Sequence, residues 1–159
     1  MMSLTAVFIS ALLIGFVCGL RTFTGPAIVA WGSHLNWINL NRTPLHFMST
    51  TAAVAIFTLL ALVEFITDQL PSTPKRTDPS GLIPRILFGG LCGAVLLASQ
   101  GQSIAIGSLL GAAAGIAGAF GGYQARAHLV KDFKIPDFVI ATLEDALAIG
   151  AGIFIVSRF

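Results

Sequence analysis

Five apolar segments of 17 to 23 residues constrain this chain more than any other feature of its sequence. A bilayer core requires about 20 apolar residues of helix, and only a backbone that satisfies its own hydrogen bonds can cross it. Each segment is therefore predicted to be a transmembrane helix. The segments are Leu4 to Leu20, Met48 to Thr67, Leu82 to Ser99, Ser103 to Ala125 and Phe138 to Ser157.

Composition supports a single integral membrane domain over residues 1–159. Hydrophobic residues make up 55% and charged residues 10% of the chain, whereas soluble domains contain about 25% charged residues. A water-soluble fold is excluded on this basis. The net charge of +2 is too small for phosphate-driven nucleic-acid binding, so the expected surroundings are lipid and no nucleic acid. The predicted fold is an all-α polytopic bundle of about five membrane helices.

The segment between the first two predicted helices, Thr22 to Phe47, is too long and too apolar for a plain connection. Thr24-Gly25-Pro26 is typical of a helix start, with proline in the first turn. Two interpretations are open. One is an interfacial helix held by Trp31 and Trp37 at the headgroups; the other is a re-entrant half-helix.

Lysine and arginine in the loops predict the orientation, since cytoplasmic loops are the more basic. With five helices and the N-terminus inside, six basic residues lie inside and three outside. We therefore expect a bacterial inner-membrane protein with a cytoplasmic N-terminus. The inner residues are Lys75, Arg76, Arg85, Arg126, Lys131 and Lys134, and the outer ones are Arg21, Arg42 and Arg158.

Glycines three or four residues apart give several helices a face of small residues, which lets membrane helices approach closely. Tight packing within one bundle explains most such faces, and a homodimer through one of them is the alternative. The glycines expected at helix contacts are Gly15 and Gly19 in the first helix, Gly89 and Gly93 in the third, and Gly107, Gly111, Gly115, Gly118 and Gly122 in the fourth; Ala148 and Gly152 repeat the spacing in the fifth.

Ionisable residues inside the predicted helices are candidates for function, because burying them in hydrocarbon costs several kcal/mol unless they are paired or hydrated. In the five-helix topology six of them lie at one depth in the inner half of the membrane. Four carboxylates facing two arginines leave surplus negative charge, which a proton or a cation would neutralise. The alternative is a set of ion pairs that lock helices together. The six are Glu64, Asp68, Arg85, Arg126, Glu144 and Asp145.

Arg21 is expected apart from this group, at the outer end of the first helix. Beside the helix start at Thr24 it is a candidate anion contact, although a snorkelling arginine is the simpler interpretation. The histidines have no metal-ligand spacing, and no catalytic motif is present. Enzyme activity is therefore uncertain and less favoured than a non-enzymatic role.

The acidic end of the second helix, Glu64-Phe65-Ile66-Thr67-Asp68-Gln69-Leu70-Pro71, precedes Asp78-Pro79, Arg85 and a late Glu144-Asp145 pair. In this order of motifs the chain, from Gly15 to Gly150, resembles a bacterial family of small membrane proteins known only as a domain of unknown function. The resemblance implies an integral membrane helical fold and no particular activity. Arg21 departs from the family pattern, where asparagine is commoner.

Three functions are compatible with these features. The first is a small transporter or permease whose carboxylate and arginine cluster binds a proton or cation. The second is a membrane-embedded enzyme or binder of lipid phosphate headgroups, in which the acids hold a divalent cation and the arginines hold the phosphate. The third is a non-catalytic assembly subunit.

Overall fold

The computed structural model describes residues 2–68, 76–132 and 134–159, which form an all-helical bundle and contain no strand. Within these ranges there are six α-helices, and a short 3-10 helix, His46–Ser49, precedes the third. The α-helices are α1 Leu4–Leu20, α2 Thr24–His34, α3 Thr51–Thr67, α4 Pro79–Ser99, α5 Ile104–Asp132 and α6 Asp137–Val156.

Three of the described helices, α4, α5 and α6, are long and apolar enough to cross a membrane. The helices α1 and α3 are apolar but have 17 residues each, which is about 25 Å at 1.5 Å per residue and close to the lower limit for a span. Local sequence sets their starts: the Ser3 and Thr50 hydroxyls accept hydrogen bonds from the N–H groups of Ala6 and Ala53.

Helix α2 corrects both interpretations of the segment after α1. It is not interfacial, because most of its residues are buried inside the bundle. It is not re-entrant either, because it runs back beside α1 and α6: Gly25 lies against Cys18, whereas Gly32 lies against Val156 near the end of α6. Its 11 residues extend about 16 Å, and the following loop buries Ile38 and Leu40.

This extra traverse places both described termini at the same end of the bundle. Met2 and Phe159 pack against the cluster of Val7, Ala11 and Leu97. We call this the terminal end. At the opposite end, called the charged end, α1 and α3 finish, α4 begins, and α5 finishes beside the start of α6. The described chain thus has an even number of traverses, where the sequence predicted five.

The faces of small residues lie within the monomer. Gly15 and Gly19 of α1 lie against Gly111 and against Gly115 with Gly118 of α5, and Gly89 and Gly93 of α4 lie against Gly111 and Gly107. At these positions an added Cβ would meet the neighbouring backbone. We call this three-helix contact the glycine interface. Because it is buried inside the bundle, a homodimer has to use another surface, and it stays an untested prediction.

Candidate functional site: a buried layer of charges at a helix break

Eight charged side chains lie in a single layer near the charged end: five belong to α3, α4, α5 and α6, and three lie just outside helices, after α1, after α3 and before α4. Each of them is at most 19% exposed. All six residues that the sequence placed together belong to this group, and Arg21 and Arg76 join them. We call the eight residues the charged layer: Arg21, Glu64, Asp68, Arg76, Arg85, Arg126, Glu144 and Asp145.

The connection between α1 and α2 turns inside this layer, where its backbone groups have little access to water. Glu64 of α3 accepts hydrogen bonds from the N–H groups of Thr22 at 2.6 Å and Phe23 at 2.9 Å. Arg85 of α4 donates from Nε to the carbonyl oxygen of Gly19 at 3.1 Å and from Nη1 to that of Gly81 at 2.7 Å. The two charges therefore cap the end of α1 and the start of α2, which have opposite partial charges.

Glu64 and Arg85 are themselves a loose ion pair, with 3.8 Å between Oε1 and Nη2. Both side chains are at most 7% exposed. An irregular backbone is tolerated at membrane depth only where protein groups satisfy it. Glu64 and Arg85 satisfy the backbone groups at the break between α1 and α2, so the first role of this ion pair is structural.

Arg21, which directly follows α1, is 1% exposed and links three helices, because it pairs with Asp68 at the end of α3 and with Asp145 of α6. Its Nε lies 2.5 Å from Asp145 Oδ1. The expectation that Arg21 stands apart at the outer end of α1 is therefore wrong. The physical reason is the traverse by α2, which brings the end of α1 to the same end of the bundle as the end of α3.

Glu144 of α6 is the carboxylate beside the two remaining arginines of the charged layer, Arg76 and Arg126. Arg76, in the loop before α4, donates to both of its oxygens, from Nη1 at 2.5 Å and from Nη2 at 2.9 Å. Arg126 of α5 lies 3.9 Å from the same carboxylate. It also donates to both oxygens of Asp137, at 2.8 and 2.7 Å. Sequence reasoning missed Arg76 as a member of the layer, since nothing local marks it.

The surplus of negative charge that the sequence predicted is absent from the charged layer. Four carboxylates face four arginines within the layer, because Arg21 and Arg76 add to Arg85 and Arg126. The charge count made from the sequence omits these two arginines, because it places Arg21 at the opposite end of the bundle and Arg76 in a loop. The further acid paired with Arg126, Asp137, lies outside the layer and is 61% exposed. A neutral layer needs no resident cation, and within the described ranges no three His, Cys, Asp or Glu side chains are grouped to hold a metal.

Among the residues that the structure describes, two cavities reach the charged layer. A polar cavity of about 260 Å³ opens between α3 and α4, and its walls include Thr22, Thr67, Ser80 and the charged groups of Glu64, Asp68 and Arg85. A largely apolar groove of about 290 Å³ lies between α5 and α6 and ends on Arg126 and Glu144. Small molecules therefore have room to reach both halves of the layer.

These features define a class, a helical membrane bundle with a buried and balanced layer of charges at a helix break. The chain belongs to the family described as domain of unknown function DUF4126, whose model matches residues 8–157. No curated protein and no solved structure matches the chain significantly. The expected family of unknown function is confirmed. Two parts of the sequence analysis lie outside the described residues: Gln69 to Pro71, which end the acidic motif of the second predicted helix, and the basic residue Lys75.

Proposed function

We propose that this protein is a small integral membrane transporter that moves a proton or a small cation. The observation that carries the proposal is the polar cavity that ends on Glu64, Asp68 and Arg85, at the depth where the chain breaks between α1 and α2. Ionisable groups that are buried in a membrane protein mark the pathways of ions and substrates. The cavity, at about 260 Å³, has the size of a site for a small solute.

Asp68 is the carboxylate best suited to bind the cargo. Glu64 is occupied by two backbone N–H groups, and Glu144 by the two donors of Arg76. Asp68 borders the polar cavity together with Glu64, and it is held by the Arg21 side chain rather than by backbone N–H groups. A proton or cation that reaches Asp68 competes with Arg21 for the same carboxylate.

This competition offers a way to couple binding to movement. When Asp68 is neutralised, Arg21 keeps Asp145 of α6 as its partner but loses its link to α3. A change of partner at one ion pair would shift the balance between two arrangements of the helices, as alternating access requires. Toward the terminal end the bundle interior is filled by apolar side chains, including Val29, Leu96 and Val156, which supports a state closed on that side.

We further propose that the charged end faces the bacterial cytoplasm. Among the described residues it carries Arg21, Arg76, Arg85, Arg126, Lys131 and Lys134, against Arg42 and Arg158 at the terminal end. The positive-inside rule that predicted a cytoplasmic N-terminus for five crossings now favours both termini outside, because α2 adds a traverse.

Purified protein in liposomes tests the transport proposal, with proton flux read by an enclosed pH dye and Na⁺ and K⁺ uptake measured separately. We expect the native chain to carry one of these ions and Asp68→Asn to abolish the flux while the protein stays folded. Asp132→Asn is the matched control, because Asp132 is a half-exposed acid on α5 outside the charged layer. Unchanged flux in Asp68→Asn, or no flux of any of the three ions in the native protein, would contradict the proposal.

A non-catalytic assembly subunit is the second candidate, and the equality of four carboxylates and four arginines favours it. Balanced ion pairs can hold helices in register without binding anything. In that case Asp68→Asn protein that folds and is expressed normally should support the native cellular role. Loss of that role at normal expression argues against a purely structural layer.

A further inference from the structure

The apolar groove between α5 and α6 is separate from the polar cavity and has a different chemistry. Its volume is about 290 Å³, and α1, α5 and α6 supply its walls. The absence of a side chain at Gly121 leaves this space open, because a Cβ added there would contact the Phe16 ring alone, at 4.0 Å. We call it the α5–α6 groove, and its apolar lining includes Phe16, Leu20, Ala125, Leu129, Leu143 and Leu147.

Arg126 gives this groove a cationic end. The guanidinium donates through Nε and Nη2 to the two oxygens of Asp137. This two-pronged arrangement is the one by which arginine binds carboxylates and phosphates alike. A phosphate group fits the same donors.

Asp137 is an exchangeable partner for Arg126. Its side chain is 61% exposed, at the first residue of α6, whereas Arg126 is 18% exposed. Exposed ion pairs are weak because water competes with them. The other acid beside Arg126, Glu144, lies 3.9 Å away and is held by Arg76. An anion that displaces Asp137 leaves that carboxylate free to enter water.

We propose that the α5–α6 groove binds an anionic phospholipid of the leaflet at the charged end, with an acyl chain against Leu143 and Leu147 and the phosphate on Arg126. Charge supports this occupant, because Lys131 and Lys134 follow Arg126 in sequence at the same end of the bundle and basic clusters at a membrane surface attract anionic lipids. The apolar walls suit an acyl chain and exclude a small hydrophilic anion as the main occupant. The lipid is a bound ligand here, and the proposal is independent of transport.

Native mass spectrometry of the detergent-purified full chain with phosphatidylglycerol or phosphatidylcholine tests this site. We expect the native protein to retain phosphatidylglycerol preferentially. Arg126→Gln should weaken that binding by about tenfold, the equivalent of one strong charge-assisted contact. Asp137→Asn should strengthen it, because the competing carboxylate is removed. A purely structural ion pair predicts no such opposite effects.

Two further variants separate the groove from general surface charge. Ala125→Trp fills the groove and should reduce retention of both lipids without changing a charge. Arg158→Gln is the matched control, because Arg158 lies at the terminal end and stacks on Phe154 at 4.5 Å; it should leave binding unchanged. Each variant is checked for native helicity by circular dichroism.

Three results would overturn the proposal. The first is equal retention of the two lipids by the native protein. The second is a shift in the same direction for Arg126→Gln and Asp137→Asn. The third is a native protein that forms a dimer without bound lipid and becomes monomeric when Ala125→Trp is introduced. A second copy of the chain, and not a lipid, would then occupy the groove.

Discussion

The glycine interface and the charged layer hold the same bundle together by opposite means. In the glycine interface α1, α4 and α5 approach so closely that backbone lies against backbone, as at Gly111 and Gly89. In the charged layer, long side chains bridge helices that are farther apart, as Arg21 does between Asp68 and Asp145. The first depends on the absence of side chains and the second on their length and charge.

The difference shows which kind of change each region tolerates. Close backbone packing in a membrane is stabilised by dispersion and leaves no room for an added atom. Ion pairs tolerate small shifts in position but not the loss of one partner, because the remaining charge is then buried alone. Size should therefore decide the outcome of mutation in the glycine interface, and charge should decide it in the charged layer.

The largest effect is expected from Glu64→Leu, which conserves bulk and removes charge. It leaves Arg85 without its carboxylate and the N–H groups of Thr22 and Phe23 without an acceptor. Breaking a buried pair costs about 3 to 5 kcal/mol, so we expect a loss of that size in the free energy of unfolding, measured by SDS titration in mixed micelles.

Glu64→Gln is the matched control for that prediction, because the amide oxygen still accepts a hydrogen bond from the turn. It should unfold at an intermediate SDS concentration. Equal stability of Glu64→Leu and the native protein would show that the helix break does not depend on this carboxylate.

A smaller effect is expected from Gly111→Ala, which adds volume without charge. The new Cβ would lie against the backbone of Gly89 and 3.2 Å from the Cα of Gly93. Overpacking typically costs about 1 to 3 kcal/mol, and the same titration measures it. Gly150→Ala is the control, because a Cβ there meets nothing within 4 Å; if both variants lose equal stability, the glycine interface is not the cause.

The smallest effect is expected at the edge of the charged layer, in Asp137→Asn. The ion pair with Arg126 is well formed, but the carboxylate is 61% exposed, and exposed pairs contribute about 1 kcal/mol or less. The unfolding midpoint should therefore move much less than in Glu64→Leu. A loss as large as that of Glu64→Leu would place Asp137 within the stabilising network.

Much of the fold was predictable because hydropathy is a local signal. The predicted first helix has the bounds of α1, and the predicted fifth helix differs from α6, Asp137–Val156, by one residue at each end. Helix α5 extends to Asp132, seven residues beyond the predicted Ala125, because helix continues through polar residues that hydropathy does not count. The spacing of glycines on α1, α4 and α5 is likewise a local pattern.

Helix α2 could not be obtained from hydropathy, since its 11 residues are fewer than a span requires. Its burial depends on contacts with α1, α3, α4 and α6. One signal was available: only Arg21, Thr22 and Phe23 separate Leu20 from Thr24, and a connection that short usually joins antiparallel neighbours. That rule would have placed Arg21 at the charged end. For Arg76 no comparable signal exists, because its pairing with Glu144 spans 68 residues.

Labelling of single cysteines by a membrane-impermeant maleimide, in a chain whose buried Cys18 and Cys92 are replaced, tests most directly that α2 carries the chain back across the bundle. The exposed positions Ser3, Lys131 and Ser157 report the N-terminal end, the charged end and the C-terminal end. We predict that Ser3→Cys and Ser157→Cys react from one side of the membrane and Lys131→Cys from the other. Reaction of Ser3→Cys and Lys131→Cys from the same side would restore the five-crossing topology and contradict the placement of Arg21 in the charged layer.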